Sequence, residues 1–220
     1  VLAGLLRARG RPTRRVLPLL PADLAILCQQ LTPDLRGLRD RAILLVGFAA
    51  ALRRSEVVAL DRADITITRA ACVLTITRSK TDPHATGERV RIRRQAASLC
   101  AVASLEAWLA GRGDHAGPLF NPLSKSGRVL RRRLCDRTVA RLIKAAITRI
   151  GRDPALYSGH SLRAGLATAA EARGTSLGDI QKHTRHSSLD QLAVYLRRVP
   201  GDIIAGILEV SDSEAAQDRA

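Results

Sequence analysis

Four short stretches carry side chains able to act on a phosphate ester. "GHSLRAG" places His160 and Arg163 three residues apart, on one face of a helix. A guanidinium neutralises non-bridging phosphate oxygens and an imidazole moves a proton. Taken alone, the pair reads more readily as the surface of a basic helix. "ALRRSEVVAL" sets Arg53 between a buried helix and a short capped one, with Glu56 three residues on as a carboxylate able to orient the guanidinium. A solvated helix end is the plain alternative. Lys80, in "TRSKTDPHATGERV", sits at a hairpin tip, which either presents a cation to a ligand or leaves it in water. "HTRHSSLDQLAVY" holds His183, His186 and Tyr195, the last nine residues after His186 and one of only 2 tyrosines. A phenol titrates near ~10, so it attacks at neutral pH only beside a base and cations. The other tyrosine, Tyr157, is expected to pack or hydrogen-bond. The spacing of His183 and His186 raises a metal, but no H-E-x-x-H and no carboxylate pair accompanies it. No phosphate-binding G-x-x-x-x-G-K-[ST] loop is present.

The remaining charge points the same way. Lys+Arg number 36 against 20 Asp+Glu, a formal charge of +16, which favours a polyanionic partner, nucleic acid before an anionic membrane. Only four of these cations are lysines (Lys80, Lys125, Lys144, Lys182), and arginine forks match phosphate oxygens in pairs. "KSGRVLRRRLCDRTVARLIK" concentrates Arg128, Arg131, Arg132, Arg133, Arg137, Arg141 and Lys144. Part of this cluster is expected to line a DNA backbone, with the helix after Asp136 approaching a groove; a solvated basic face is the alternative.

These residues need a scaffold. Hydrophobic residues make up 46% and aromatics 2%, so a globular core must come from Leu, Ile, Val and Ala. The longest apolar run, "AILLVGFAAAL", falls far short of the ~20 residues that span a bilayer and reads as a buried helix. There is no secretory signal pattern. Cys28, Cys72, Cys100 and Cys135 are scattered, as reduced thiols of a cytosolic protein rather than a zinc site.

Helices are expected over "PADLAILCQQL", "RGLRDRAILLVGFAAAL", "SEVVAL" with Ser55 as its cap, "AASLCAVASLEAWLAGRG", "DRTVARLIKAAITRIG" with Asp136 as its cap, "SLRAGLATAAEARG", "SLGDIQKHT", "SLDQLAVYLRR" and "GDIIAGILEV". "DITITRAACVLTITRS" alternates as two strands turning near Arg69, and "ERVRIRR" is a third. The fold class is α+β, mainly helical with a small three-stranded antiparallel sheet. Residues 1–15 read as a helix end plus a linker and 211–220 as a polar tail.

In this order, Arg, Lys, H-x-x-R, His and Tyr resemble the active-site series of the tyrosine recombinase (phage integrase) family. "ALRRSEVVAL" resembles its G-L-R-x-S-E box and "RHSSLDQLAVY" its L-G-H-S-S-x-x-x-T-x-x-Y box. Two positions depart from it: Ala51 and Arg185 stand where the family usually has glycine. The resemblance implies that Tyr195 attacks the scissile phosphate to give a 3′-phosphotyrosyl link, without metal, ATP or other cofactor. Arg53 and Arg163 would clamp the phosphate, His186 would donate to it, and His160 would share the tyrosine proton. Lys80 would protonate the leaving 5′-oxygen, and Glu56 would support Arg53. The resemblance further implies that residues 1–15 are the end of an N-terminal DNA-binding domain plus linker and 16–210 a catalytic domain. It also implies a double-stranded recombination site as partner, a homotetramer linked through the apolar C-terminal segment, no membrane association, and a place in the bacterial cytoplasm on the nucleoid. A type IB topoisomerase-like activity and a non-catalytic DNA-binding module are the alternatives.

Overall fold

The computed structural model describes residues 16–77 and 87–193. Among the described residues, eight α-helices and three strands follow one another in the order the alternating periods require. They are α1 (Pro21–Gln29), α2 (Leu35–Ala49), α3 (Arg54–Ala59), β1 (Ile65–Ile67), β2 (Ala71–Ile76), β3 (Glu88–Arg93), α4 (Ala101–Arg112), α5 (Asp136–Arg149), α6 (His160–Glu171), α7 (Leu177–Thr184) and α8 (Leu189–Ala193).

α2 is the central element. Its Ala42, Ile43, Leu44, Leu45 and Val46 are almost fully enclosed, as expected of the longest apolar run. It packs on α4 and α6. The only tryptophan, Trp108 of α4, is fully buried and donates its indole N–H to the Leu119 carbonyl at 2.9 Å, as a buried indole must. Arg112 closes the loop after α4: its guanidinium reaches Asn121 Oδ1 at 2.9 Å and the carbonyls of Gly113, His115 and Pro118. The sheet has the order β1-β2-β3, antiparallel throughout, with Ile65 opposite Leu74 and Cys72 opposite Ile92. Its alternation buries Leu74, Ile76, Val90 and Ile92 and leaves Arg89, Arg91 and Arg93 exposed.

Three helix starts differ from the sequence reading. α3 begins at Arg54 with Arg53 as its N-cap, and Ser55 is exposed inside the first turn. The cause is Glu56, which accepts the Arg53 backbone N–H at 2.8 Å, the reach-back of a capping box. α5 begins at Asp136 itself with Cys135 as N-cap, so Asp136 does not cap; its carboxylate lies 3.3 Å from Arg54 Nε. α4 starts at Ala101, because Cys100 Sγ accepts the N–H groups of Gln95 and Ala103 and holds the preceding residues in turns. Tyr157 packs as expected: it is buried, and its hydroxyl accepts from Arg152 at 3.2 Å. Cys28, Cys72 and Cys100 are buried free thiols, while Cys135 is free and exposed. Lys80, Tyr195, residues 1–15, residues 194–198 of the expected helix over "SLDQLAVYLRR", the segment "GDIIAGILEV" and the tail 211–220 lie outside the described residues.

Candidate active site at three converging helix ends

The site forms where the C-termini of α2 and α7 meet the N-terminus of α6. α2 ends in a Schellman motif: Leu52 N–H bonds to the Gly47 carbonyl at 2.9 Å and Ala51 N–H to Phe48 at 3.0 Å. α7 ends the same way, with His186 N–H on Gln181 and Arg185 N–H on Lys182, both at 3.2 Å. Such an ending forces one residue into the left-handed region, which is why glycine is usual there. Here those residues are Ala51 (φ 48°) and Arg185 (φ 56°), the non-glycine residues with positive φ among those described. Each costs about 1–2 kcal/mol of backbone strain.

The free carbonyls at the end of α2 collect an imidazole and two guanidinium groups. Ala49 accepts from His183 Nε2 at 2.8 Å, Ala50 from Arg185 at 3.0 Å, and Ala51 from Arg163 at 3.0 Å and Arg185 at 3.3 Å. Positive groups at a helix C-terminus also face the negative end of its macrodipole. His183 is therefore bound to the fold. Among the described residues no three His, Cys, Asp or Glu side chains gather as a metal would require.

Arg163, on the first turn of α6, is only 2% exposed. Its Nε donates to His186 Nε2 at 3.2 Å, so that nitrogen is an acceptor and the ring proton sits on Nδ1. Nδ1–H then donates to Thr184 Oγ1 at 2.7 Å, and the threonine hydroxyl donates to the Ile180 carbonyl at 2.6 Å. This relay fixes the neutral tautomer. Burial, then Arg163, Arg53, Arg185 and His160, push the His186 pKa down to about 4. His160 is exposed at the rim, yet partial desolvation and then Arg163, Arg54 and Arg53 lower its pKa as well. Arg163 and Arg53 act on both histidines, and Arg185 acts on His186 as well.

Arg53 reaches the two histidines from the start of α3. Gly159 lets the start of α3 pack this closely on the start of α6, since a Cβ there would stand 2.9 Å from Arg54 Cβ. Arg53 Nη1 lies 2.6 Å from Glu56 Oε1, and Arg185 Nη2 lies 2.9 Å from Glu56 Oε2. Burial raises the Glu56 carboxyl, but Arg185 and the contacts from Arg53 outweigh it and hold the group below the usual carboxylate range. Arg185 Nε is also 3.2 Å from Glu88 on β3. Three guanidinium groups against Glu56 and the half-exposed Glu88 leave the centre positive, as a site for a phosphodiester must be.

Four of the residues expected to act together, Arg53, His160, Arg163 and His186, are brought into this centre, with Glu56 beneath Arg53. Sequence reasoning gave no role to Arg185, Thr184 or the Ala51 carbonyl. The signal at hand was the loss of glycine at 51 and 185. The basic cluster divides: Arg137, Arg141 and Lys144 are exposed on α5, opposite its buried Val139, Ile143 and Ile147. Arg128, Arg131 and Arg132 are exposed before it. Arg133 instead caps α3, donating to the Val58 and Ala59 carbonyls and lying 2.6 Å from Asp61 Oδ1.

The fold is that of tyrosine recombinase catalytic domains. It superposes on the XerH site-specific recombinase bound to its difH substrate with a TM-score of 0.64 at 15% identity, over 92% of this chain and 57% of that one. It matches the XerA recombinase with a TM-score of 0.64 at 20% identity, over 94% of this chain and 66% of that one. In sequence it is 33% identical to the integrase/recombinase XerD homolog of Selenomonas ruminantium, over 90% of this chain and 58% of that protein. It is also 33% identical to the tyrosine recombinase XerD of Xanthomonas axonopodis pv. citri, over 74% of this chain and 53% of that protein. Residues 19–200 match the phage integrase family model, and the chain belongs to that family. It spans little more than half the length of these curated relatives.

Proposed function

We propose that the chain is the catalytic part of a site-specific DNA recombinase that cuts and rejoins strands through Tyr195. The observation that carries this reading is the pair Arg163 and Arg53, held beside a neutral His186 at converging helix ends. Phosphoryl transfer asks chiefly for charge neutralisation and alignment. In the proposed step the Tyr195 oxygen attacks phosphorus and the bond to the 5′-oxygen breaks. Lys80 gives its proton to that oxygen, and His160 takes the phenolic proton. The products are a 3′-phosphotyrosyl link and a free 5′-hydroxyl, and attack by a 5′-hydroxyl of the partner strand reverses the step. Because the covalent link conserves the bond, no nucleotide is consumed.

Tyr195 follows two residues after α8, whose Leu192 is fully buried against Ala167 and Ile180. The exposed arginines of α5 and the preceding loop supply phosphate contacts that set register along duplex DNA. The working assembly is a homotetramer on DNA. In it the apolar segment 202–210 of one copy occupies a neighbour's cavity of about 680 Å³, lined by Leu24, Leu45, Phe48, Leu166, Ala169 and Ile180 among others. The site of action is the bacterial nucleoid. No helix among the described residues is long and apolar enough to cross a membrane.

The test is a nicked suicide duplex carrying candidate sites, incubated with the chain and with Tyr195→Phe in EDTA and run on denaturing gels. A covalent adduct lost in the Phe variant is the expected result. Salt-sensitive binding without adduct, even after an N-terminal DNA-binding half is supplied, overturns the reading.

A further inference from the structure

We infer that Arg185 is a positioning residue that sets Arg53 through Glu56 and ties it to the turn carrying His186. The inference rests on the recombinase reading for what Arg53 does, but the tie itself is independent of DNA.

Arg185 occupies a backbone conformation that favours glycine (φ 56°, ψ 45°), yet its side chain is only 3% exposed. Apart from the ion pair of Nε with Glu88, the contacts of that side chain run to the end of α2, its own turn and Glu56. Nη1 donates to the carbonyls of Ala50 and His183, and Nη2 to Ala51 and to Glu56 Oε2. Glu56 is itself 1% exposed and spends its other contacts on Arg53, at the backbone N–H and at Nη1. The chain of contacts therefore runs from the residue before His186, through one buried carboxylate, to the guanidinium expected to hold phosphate. A glycine at 185 would relax the turn and leave Glu56 with Arg53 alone. Arg185 also shares the Ala51 carbonyl with Arg163, so one guanidinium fixes the spacing between two phosphate-facing arginines.

A residue that only satisfied helix-end carbonyls would change stability by the same amount at every pH. Arg185 differs because it keeps Glu56 ionised. The charged groups facing Glu56 are Arg53 from its own turn, Arg185 from the end of α7 and His160 from α6, with Glu88 of β3 on the far side of Arg185. With Arg185 present, the folded Glu56 pKa lies below its unfolded value. That stabilisation is complete above the unfolded pKa and is lost as pH falls through the folded pKa. Without Arg185, burial dominates, the folded pKa rises, and ionisation becomes unfavourable to folding as pH increases.

The experiment compares wild type, Arg185→Gly and Arg185→Lys in two ways. In thermal unfolding without DNA, the Tm gap between wild type and the Gly variant should widen as pH rises from about 4 to about 6.5. The Lys variant, which keeps the charge, should show a much flatter gap. A gap constant with pH overturns the inference. In single-turnover cleavage of the suicide duplex, Arg185→Gly should slow adduct formation about 10- to 100-fold, the penalty of misplacing a phosphate ligand. Its DNA Kd should stay within about twofold, and Lys should recover part of the rate. Adduct formation at the wild-type rate in the Gly variant overturns the inference even if the gap widens. If wild type forms no adduct even with an N-terminal DNA-binding half supplied, the recombinase reading fails, while the pH series still decides whether Arg185 governs Glu56. If Arg185→Gly does not fold, the Lys variant against wild type carries both measurements.

Discussion

Replacing a helical glycine by alanine should have opposite signs at two positions of this chain. Gly165 lies on α6, two residues after Arg163, and the extended strap at 16–20 crosses it. A Cβ at Gly165 would stand 1.8 Å from the Leu19 carbonyl oxygen and 2.7 Å from its carbon. Carbon contacts settle near about 3.5 Å, so the strap must retreat by roughly 1.5 Å. That breaks the bond from Leu19 N–H to the Ser161 carbonyl, now 2.9 Å and worth about 1 kcal/mol. It also lifts Leu19, fully buried at present, from its pocket, at a cost of about 2 kcal/mol. The better helix propensity of alanine returns about 1 kcal/mol. Gly165→Ala should therefore lose about 2 kcal/mol, a Tm drop of about 4–8 °C for a chain of this size. Gly178, on α7, has no heavy atom within 4 Å of a Cβ. Gly178→Ala should gain about 0.5–1 kcal/mol. Denaturant and thermal unfolding of the two variants decide it. If both shift in the same direction, or Gly165→Ala matches wild type, the strap does not pack on α6 as described. Because α6 also carries His160 and Arg163, the destabilised variant should form adduct more slowly as well.

His186 should take up a proton when DNA binds. Its pKa near 4 leaves it neutral in the free protein, and a phosphate beside Nε2 favours the charged form. Binding near neutral pH should therefore strengthen as pH falls. Calorimetry in two buffers of different ionisation enthalpy should show uptake in wild type that His186→Gln reduces; equal uptake in both contradicts the assignment. The basic cluster should split by role. Arg141→Ala should lower the slope of log Kobs against log salt by about 0.9 and leave Tm unchanged. Arg133→Ala should cost about 1 kcal/mol of stability, because it frees the carbonyls at the end of α3, and leave the slope nearly intact. A slope change of equal size in both would place Arg133 on the DNA after all.

The amino-acid sequence alone determined the element order, the antiparallel sheet and the family. Those follow from local periods, from turn residues and from the spacing of Arg53, His160, Arg163 and His186. Helix starts were less legible. Whether Ser55 or Arg53 caps α3 depends on where the Glu56 carboxylate reaches, and Asp136 is drawn off by Arg54 from another element. The roles within the basic cluster were not legible either, because Arg133 and Arg141 look alike until one meets the end of α3. Only the tertiary structure brought the C-termini of α2 and α7 face to face. That meeting turns two glycine-like positions, Ala51 and Arg185, into one shared network, and it gives His186 its tautomer through Thr184. The physical reason is that hydrogen-bond partners and desolvation belong to pairs of groups distant in the chain. Arg185 and Glu56 are 129 residues apart, and no local pattern records that their charges must be buried together.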